Sequence, residues 1–93
     1  MNGRLTNVQE NTLIRIMDQM YTEFNDDTTR KLVTDKITSQ YFKVVCDETN
    51  NPPEAINQNQ LHADVTYLGR EHPINLTVSV IDCDTRIIYH DPK

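Results

Sequence analysis

Ninety-three residues, of which 37% are hydrophobic, fit one small domain and exclude a multidomain enzyme. A chain of this size hides only about 60–65% of its unfolded surface, which leaves little material for a deep, walled active site. Fourteen acidic against nine basic residues give a net charge of −5 and argue against nucleic acid, whose backbone is bound by clustered Lys and Arg.

The chain reads as two helices followed by three or four strands. Thr6-x-x-Gln9 has the form of a capping box, a hydroxyl serving an early backbone N–H and an amide reaching back. Leu13, Met17, Met20 and Phe24 then recur at helical spacing, flanked by Ile14, Ile16 and Tyr21, and make one broad apolar stripe. Asn25, Asp26 and Asp27 end that helix and offer N-caps to a second one over residues 28–38. Leu32, Val33 and Ile37 give the second helix its apolar face, and Arg30, Lys31 and Lys36 a basic one that suits an acidic partner.

After Gln40 the period falls to two. Phe42, Val44 and Cys46 alternate with Tyr41, Lys43 and Val45 over residues 41–46, and Leu61, Ala63, Val65 and Tyr67 alternate with His62, Asp64 and Thr66 over residues 61–68. Residues 74–81 are the clearest strand, with Ile74, Leu76, Val78 and Val80 on one face and Asn75, Thr77 and Ser79 on the other. One packed and one wet face predict an α+β fold: two N-terminal helices on one face of a small three- to four-stranded antiparallel or mixed sheet. Arg86, Ile87, Ile88 and Tyr89 form a short last strand, apolar yet isolated, of the kind that adds to another subunit's sheet. The whole chain is thus one domain with residues 1–5 and 82–93 as candidate extended arms. Between the first two strands, residues 47–60 form a long polar connection whose Asn50-Asn51-Pro52-Pro53 disfavours helix and central strand alike.

Little catalytic chemistry is on offer. Two glycines leave no phosphate-binding loop, and no apolar run approaches the about 20 residues that a membrane-spanning helix needs. The acidic pairs Asp26 with Asp27, Asp47 with Glu48 and Asp82 with Asp84 fit caps and turns. His62, His72 and His90 lack metal-ligand spacing, and Cys46 and Cys83, far apart and without a CxxC, read as reduced thiols. No enzyme activity, metal or cofactor is expected, and neither a nucleic-acid nor a membrane partner.

The run Phe42-Lys43-Val44-Val45-Cys46-Asp47-Glu48-Thr49-Asn50-Asn51-Pro52-Pro53-Glu54-Ala55-Ile56 resembles the strand and loop near the C-terminus of contractile tail sheath proteins, which form the outer cylinder of myophage tails, tailocins and related injection systems. Asn59-Gln60-Leu61-His62-Ala63-Asp64-Val65 is similar to the strand that follows there, and Phe24-Asn25-Asp26-Asp27-Thr28-Thr29-Arg30 to the link between the two preceding helices. The resemblance covers residues 8–81. Sheath chains carry several hundred further residues ahead of this region, so the chain is read as an excised domain or, with Met1 ahead of a clean helix start, a stand-alone miniature.

This resemblance implies a structural role in which arms of neighbouring subunits complete the sheet by main-chain pairing. The implied function is a component of a contractile tail that docks on the sheath by strand exchange at the baseplate or neck. Its implied partners are sheath subunits and the tail tube, in a ring-forming homo-oligomer. The implied place is the virion tail, assembled in the host bacterial cytoplasm. Arg86, Ile87, Ile88 and Tyr89 would be the strand arm; Arg30, Lys31 and Lys36 stay, from the residues alone, a candidate basic face for an acidic partner. Two alternatives stay open: a free-standing module that binds a peptide strand, and a small metal-dependent hydrolase using Asp47, Glu48, His62 and His72.

Overall fold

A computed structural model describes residues 4–21 and 27–90. The expectations placed on Phe24, Asn25 and Asp26 lie outside the described residues. Helix α1 spans Asn7–Tyr21 and α2 spans Asp27–Ile37; β1 is Phe42–Val45, α3 Pro53–Asn57, β2 Gln60–Tyr67, β3 Ile74–Ile81 and β4 Asp84–His90. The strands form one antiparallel sheet in the order β1-β2-β3-β4.

The capping box at the head of α1 is made in both directions. Gln9 N–H donates to Thr6 Oγ1 at 3.2 Å, and Thr6 N–H donates to Gln9 Oε1 at 3.0 Å. The apolar stripe of α1 buries Leu13 and Met17 against β3 and β4, with Ile16, Met20 and Tyr21 packed at its margin. Val33 and Ile37 of α2 complete the helical layer. Leu32 departs from expectation and stays 45% exposed, because the buried face of α2 runs through Thr29, Arg30, Val33 and Ile37.

Alternation places Leu61, Ala63 and Val65 of β2 and Ile74, Leu76, Val78 and Val80 of β3 beneath the helices, with Phe42, Val44, Cys46, Ile87 and Tyr89 flanking them. Fully burying one such aliphatic side chain contributes about 1.5–3 kcal/mol. Phe42 and Tyr67 stand directly opposite in the β1–β2 register, their ring centroids 5.0 Å apart.

The connection over residues 47–60 is ordered, against expectation. Asp47 accepts from Thr49 N–H at 2.9 Å, and Asn51 N–H returns to Asp47 O at 2.9 Å. The prolines then start a helix: Pro53 opens α3, where a missing N–H costs nothing.

The last segment is also corrected. Residues 84–90 are a full strand of this chain's own sheet, paired along β3 from Ile81↔Asp84 to Asn75↔His90. Asp82 and Cys83 make the two-residue turn with φ of 51° and 71°, the left-handed pair of a type I′ hairpin.

Candidate functional site

Backbone parity decides what each sheet edge offers. In an antiparallel pair, residues exchange both hydrogen bonds at alternate positions. The two-residue turn makes Ile81↔Asp84 such a pair, so Ser79↔Arg86, Thr77↔Ile88 and Asn75↔His90 follow. Thr85, Ile87 and Tyr89 therefore point N–H and C=O away from β3, and no backbone group among the described residues meets them. At the opposite edge, Leu68 N–H donates to Tyr41 O at 2.6 Å, which turns the groups of Phe42, Val44 and Cys46 outward. There Phe42 is already bonded both ways to Ser39, and Cys46 O lies 3.5 Å from the Thr34 hydroxyl that donates to it. The long unfilled edge is β4.

The four residues singled out for pairing split between faces. Ile87 and Tyr89 lean toward α1, while Arg86 and Ile88 stand exposed on the open face, Ile88 at 50%. Tyr89 is anchored: its hydroxyl donates to Glu10 and accepts from Leu5 N–H at 3.2 Å, and Arg4 lies over its ring 4.7 Å from the centroid. Thr85 donates to Asp18 of α1. These contacts hold β4 on its own domain, so the segment is an edge and not a loose arm. Leu5, at 6% exposed, likewise takes the near end of the first candidate arm into the core.

The expected basic face does not form. Arg30 is only 5% exposed, under the corner where β1 turns into the loop, and its charge favours the ionised forms of Cys46 and Asp47. Lys31 is bridged to Asp35 at 3.4 Å on the exposed side of α2, and Lys36 borders a separate apolar hollow of about 150 Å3 with Val8, Ile16 and Phe42. A larger cleft of about 420 Å3 separates α2 from β1; Arg30, Thr34, Val44, Cys46 and Asp47 are among its lining residues.

The hydrolase alternative loses its ligand set. His62 sits near the start of β2 and His72 beyond its far end, about 17 Å or more along the strand direction. Among the described residues no group of three His, Cys, Asp or Glu is placed to hold a metal ion. Cys46 is buried, which pushes its thiol up to about 11, the reverse of an activated nucleophile; Cys83 is exposed, and both are free.

On the open face the polar side chains serve one another. His62 Nδ1 lies 2.8 Å from Ser79 Oγ directly across the β2–β3 register, and burial lowers the pKa of the ring. Thr77 donates to Asp64 at 2.6 Å and meets His90 Nε2 at 2.6 Å, while Asn50 donates to the other Asp64 oxygen at 3.0 Å. These contacts tie β2, β3, β4 and the loop together, and Asn50 Nδ2 also donates to Val45 O of β1 at 2.7 Å. No helix among the described residues is long and apolar enough to cross a membrane. No protein-family model, no curated protein and no solved structure matches this chain.

Proposed function

We propose that this protein is a non-catalytic structural component of a contractile phage tail or related injection machine, docking on the tail sheath through strand pairing at the baseplate or neck end. The observation that carries the reading is the open edge of β4, where the outward backbone groups of Thr85, Ile87 and Tyr89 meet no backbone partner among the described residues. β4 holds no proline and no lysine, its pairing with β3 runs without a bulge, and its two charges, Asp84 and Arg86, neutralise each other at 3.0 Å, so the edge is only lightly blunted. The sheath resemblance supplies the partner, since the residues that carry it span β1, the turn, α3 and β2. In this reading β4 accepts a strand from a sheath subunit instead of leaving as an arm. Main-chain ladders suit such a role, because they hold while subunits rotate as rigid bodies. The protein then resides in the virion tail after assembly in the host cytoplasm, beside sheath and tube.

The test mixes the purified protein with purified sheath subunits and follows co-sedimentation. Association is expected, and Ile87→Pro abolishes it: the lost N–H points away from β3, so the β3–β4 ladder is kept. No association, or association untouched by Ile87→Pro in a variant that still folds, overturns the reading.

A further inference from the structure

We infer that, when no other strand occupies it, the edge of β4 pairs with β4 of a second copy in an antiparallel, two-fold symmetric dimer with one continuous sheet. The inference concerns the edge used in the proposed sheath contact, but stands without that contact.

The sequence of β4, Asp-Thr-Arg-Ile-Ile-Tyr-His, is complementary to itself about Ile87. With the two-fold axis at Ile87, Thr85 faces Tyr89 of the other copy and Ile87 faces Ile87. All the outward backbone groups of Thr85, Ile87 and Tyr89 are then used, about six hydrogen bonds in all. On the open face the same register sets Asp84 opposite His90, and Arg86 opposite Ile88, whose 50% exposed side chain gains the aliphatic stem of the arginine. Under the helices, Asp18, which accepts from Thr85, comes beside Arg4 stacked on Tyr89 of the other copy.

Neighbouring registers of the right parity are worse. Sliding toward the hairpin turn sets Arg86 against Arg86 and uses fewer backbone groups. Sliding the other way sets Arg86 against His90 and Ile88 against Ile88. Like charges directly opposite on a sheet are destabilising, which counts against the first of these registers, and the second leaves Thr85 without a β4 residue opposite it. The interface is isologous and closes at two copies.

Sedimentation velocity on the protein alone is expected to show a concentration-dependent dimer. Ile87→Pro weakens it at least tenfold. His90→Asp, at an exposed position, sets carboxylates opposite Asp84 and also weakens it, and adding Asp84→His to that variant restores it. The exposed Cys83, spin-labelled while Cys46 stays buried, reads the register: its two copies lie about 26 Å apart along the strand direction, against about 20 Å or 33 Å in the neighbouring registers. A monomer at all concentrations, a dimer indifferent to both single variants, or a label distance set by another register overturns the inference. The sheath experiment is read separately, because this one contains no sheath.

Discussion

The side-chain amide of Asn51 stands in for a strand backbone opposite His62. Its Oδ1 accepts His62 N–H at 2.7 Å and its Nδ2 donates to His62 O at 2.8 Å. β1 has already turned away at Cys46, so the next backbone pair of the ladder is missing. Asn51, at 1% exposed, fills that place from the far side of the loop. Asn51→Ala leaves a donor and an acceptor of β2 without partners in a buried setting and is expected to destabilise the fold by about 2–4 kcal/mol. Urea unfolding checks this through a lower midpoint at unchanged slope, and amide exchange at His62 is expected to accelerate with it.

His62 gives the fold a pH dependence of known sign. Burial, the larger cause, lowers its folded pKa below the ordinary histidine value, and Asp64 opposes the shift only in part. The unfolded chain therefore takes up the proton first. Stability is held above the unfolded value and falls as pH drops through it, levelling below the folded pKa. His62→Gln retains a polar partner for Ser79 and is expected to flatten this slope, measured as the unfolding midpoint against pH. An unchanged slope in the variant would assign it to other groups.

Thiol accessibility separates the two cysteines. Burial pushes Cys46 up to about 11, so at pH 8 roughly one molecule in a thousand carries its thiolate, while the Cys83 side chain stands in solvent at the hairpin. A chromogenic disulfide reagent is expected to titrate one thiol per chain rapidly in the native protein and both in denaturant. Two fast thiols under native conditions would contradict the packing of Cys46.

Helices α1 and α2, β3 and most of β1 and β2 were legible because each writes its own period, and the Thr6–Gln9 cap is local in sequence. Two of the misreadings, the loop and Arg30, turn on contacts between distant segments, and that of β4 turns on an atypical strand and turn. Nothing near Asn51 announces that its amide completes a ladder with His62, so the loop read as structureless. Ile88 places a large apolar side chain on the open face and breaks the alternation of β4, whose Asp82-Cys83 turn lacks the usual glycine. Arg30 carries a charge that composition assigns to solvent, yet the corner of β1 covers it. Of the candidate site, Arg86, Ile87, Ile88 and Tyr89 were visible as a pairing segment. That Thr85, Ile87 and Tyr89 present the open backbone follows only once the hairpin fixes the parity.

The hairpin itself carries removable strain. Asp82 and Cys83 sit at φ of 51° and 71°, where an L side chain costs about 1–2 kcal/mol per residue, less for aspartate. Glycine escapes that cost but loses more backbone entropy on folding, so the net gain from Cys83→Gly is smaller, about 0.5–1 kcal/mol. Asp82→Asn combined with it gives the Asn-Gly pair that a type I′ turn prefers. The double variant is expected to melt about 4–8 °C higher for each kcal/mol gained, read by thermal unfolding at a concentration low enough to keep the chains monomeric. Cys83→Val tests the same geometry from the other side: a β-branched residue in the left-handed region is expected to lower the melting temperature. If Cys83→Gly is neutral and Cys83→Val harmless, the turn does not hold the left-handed pair.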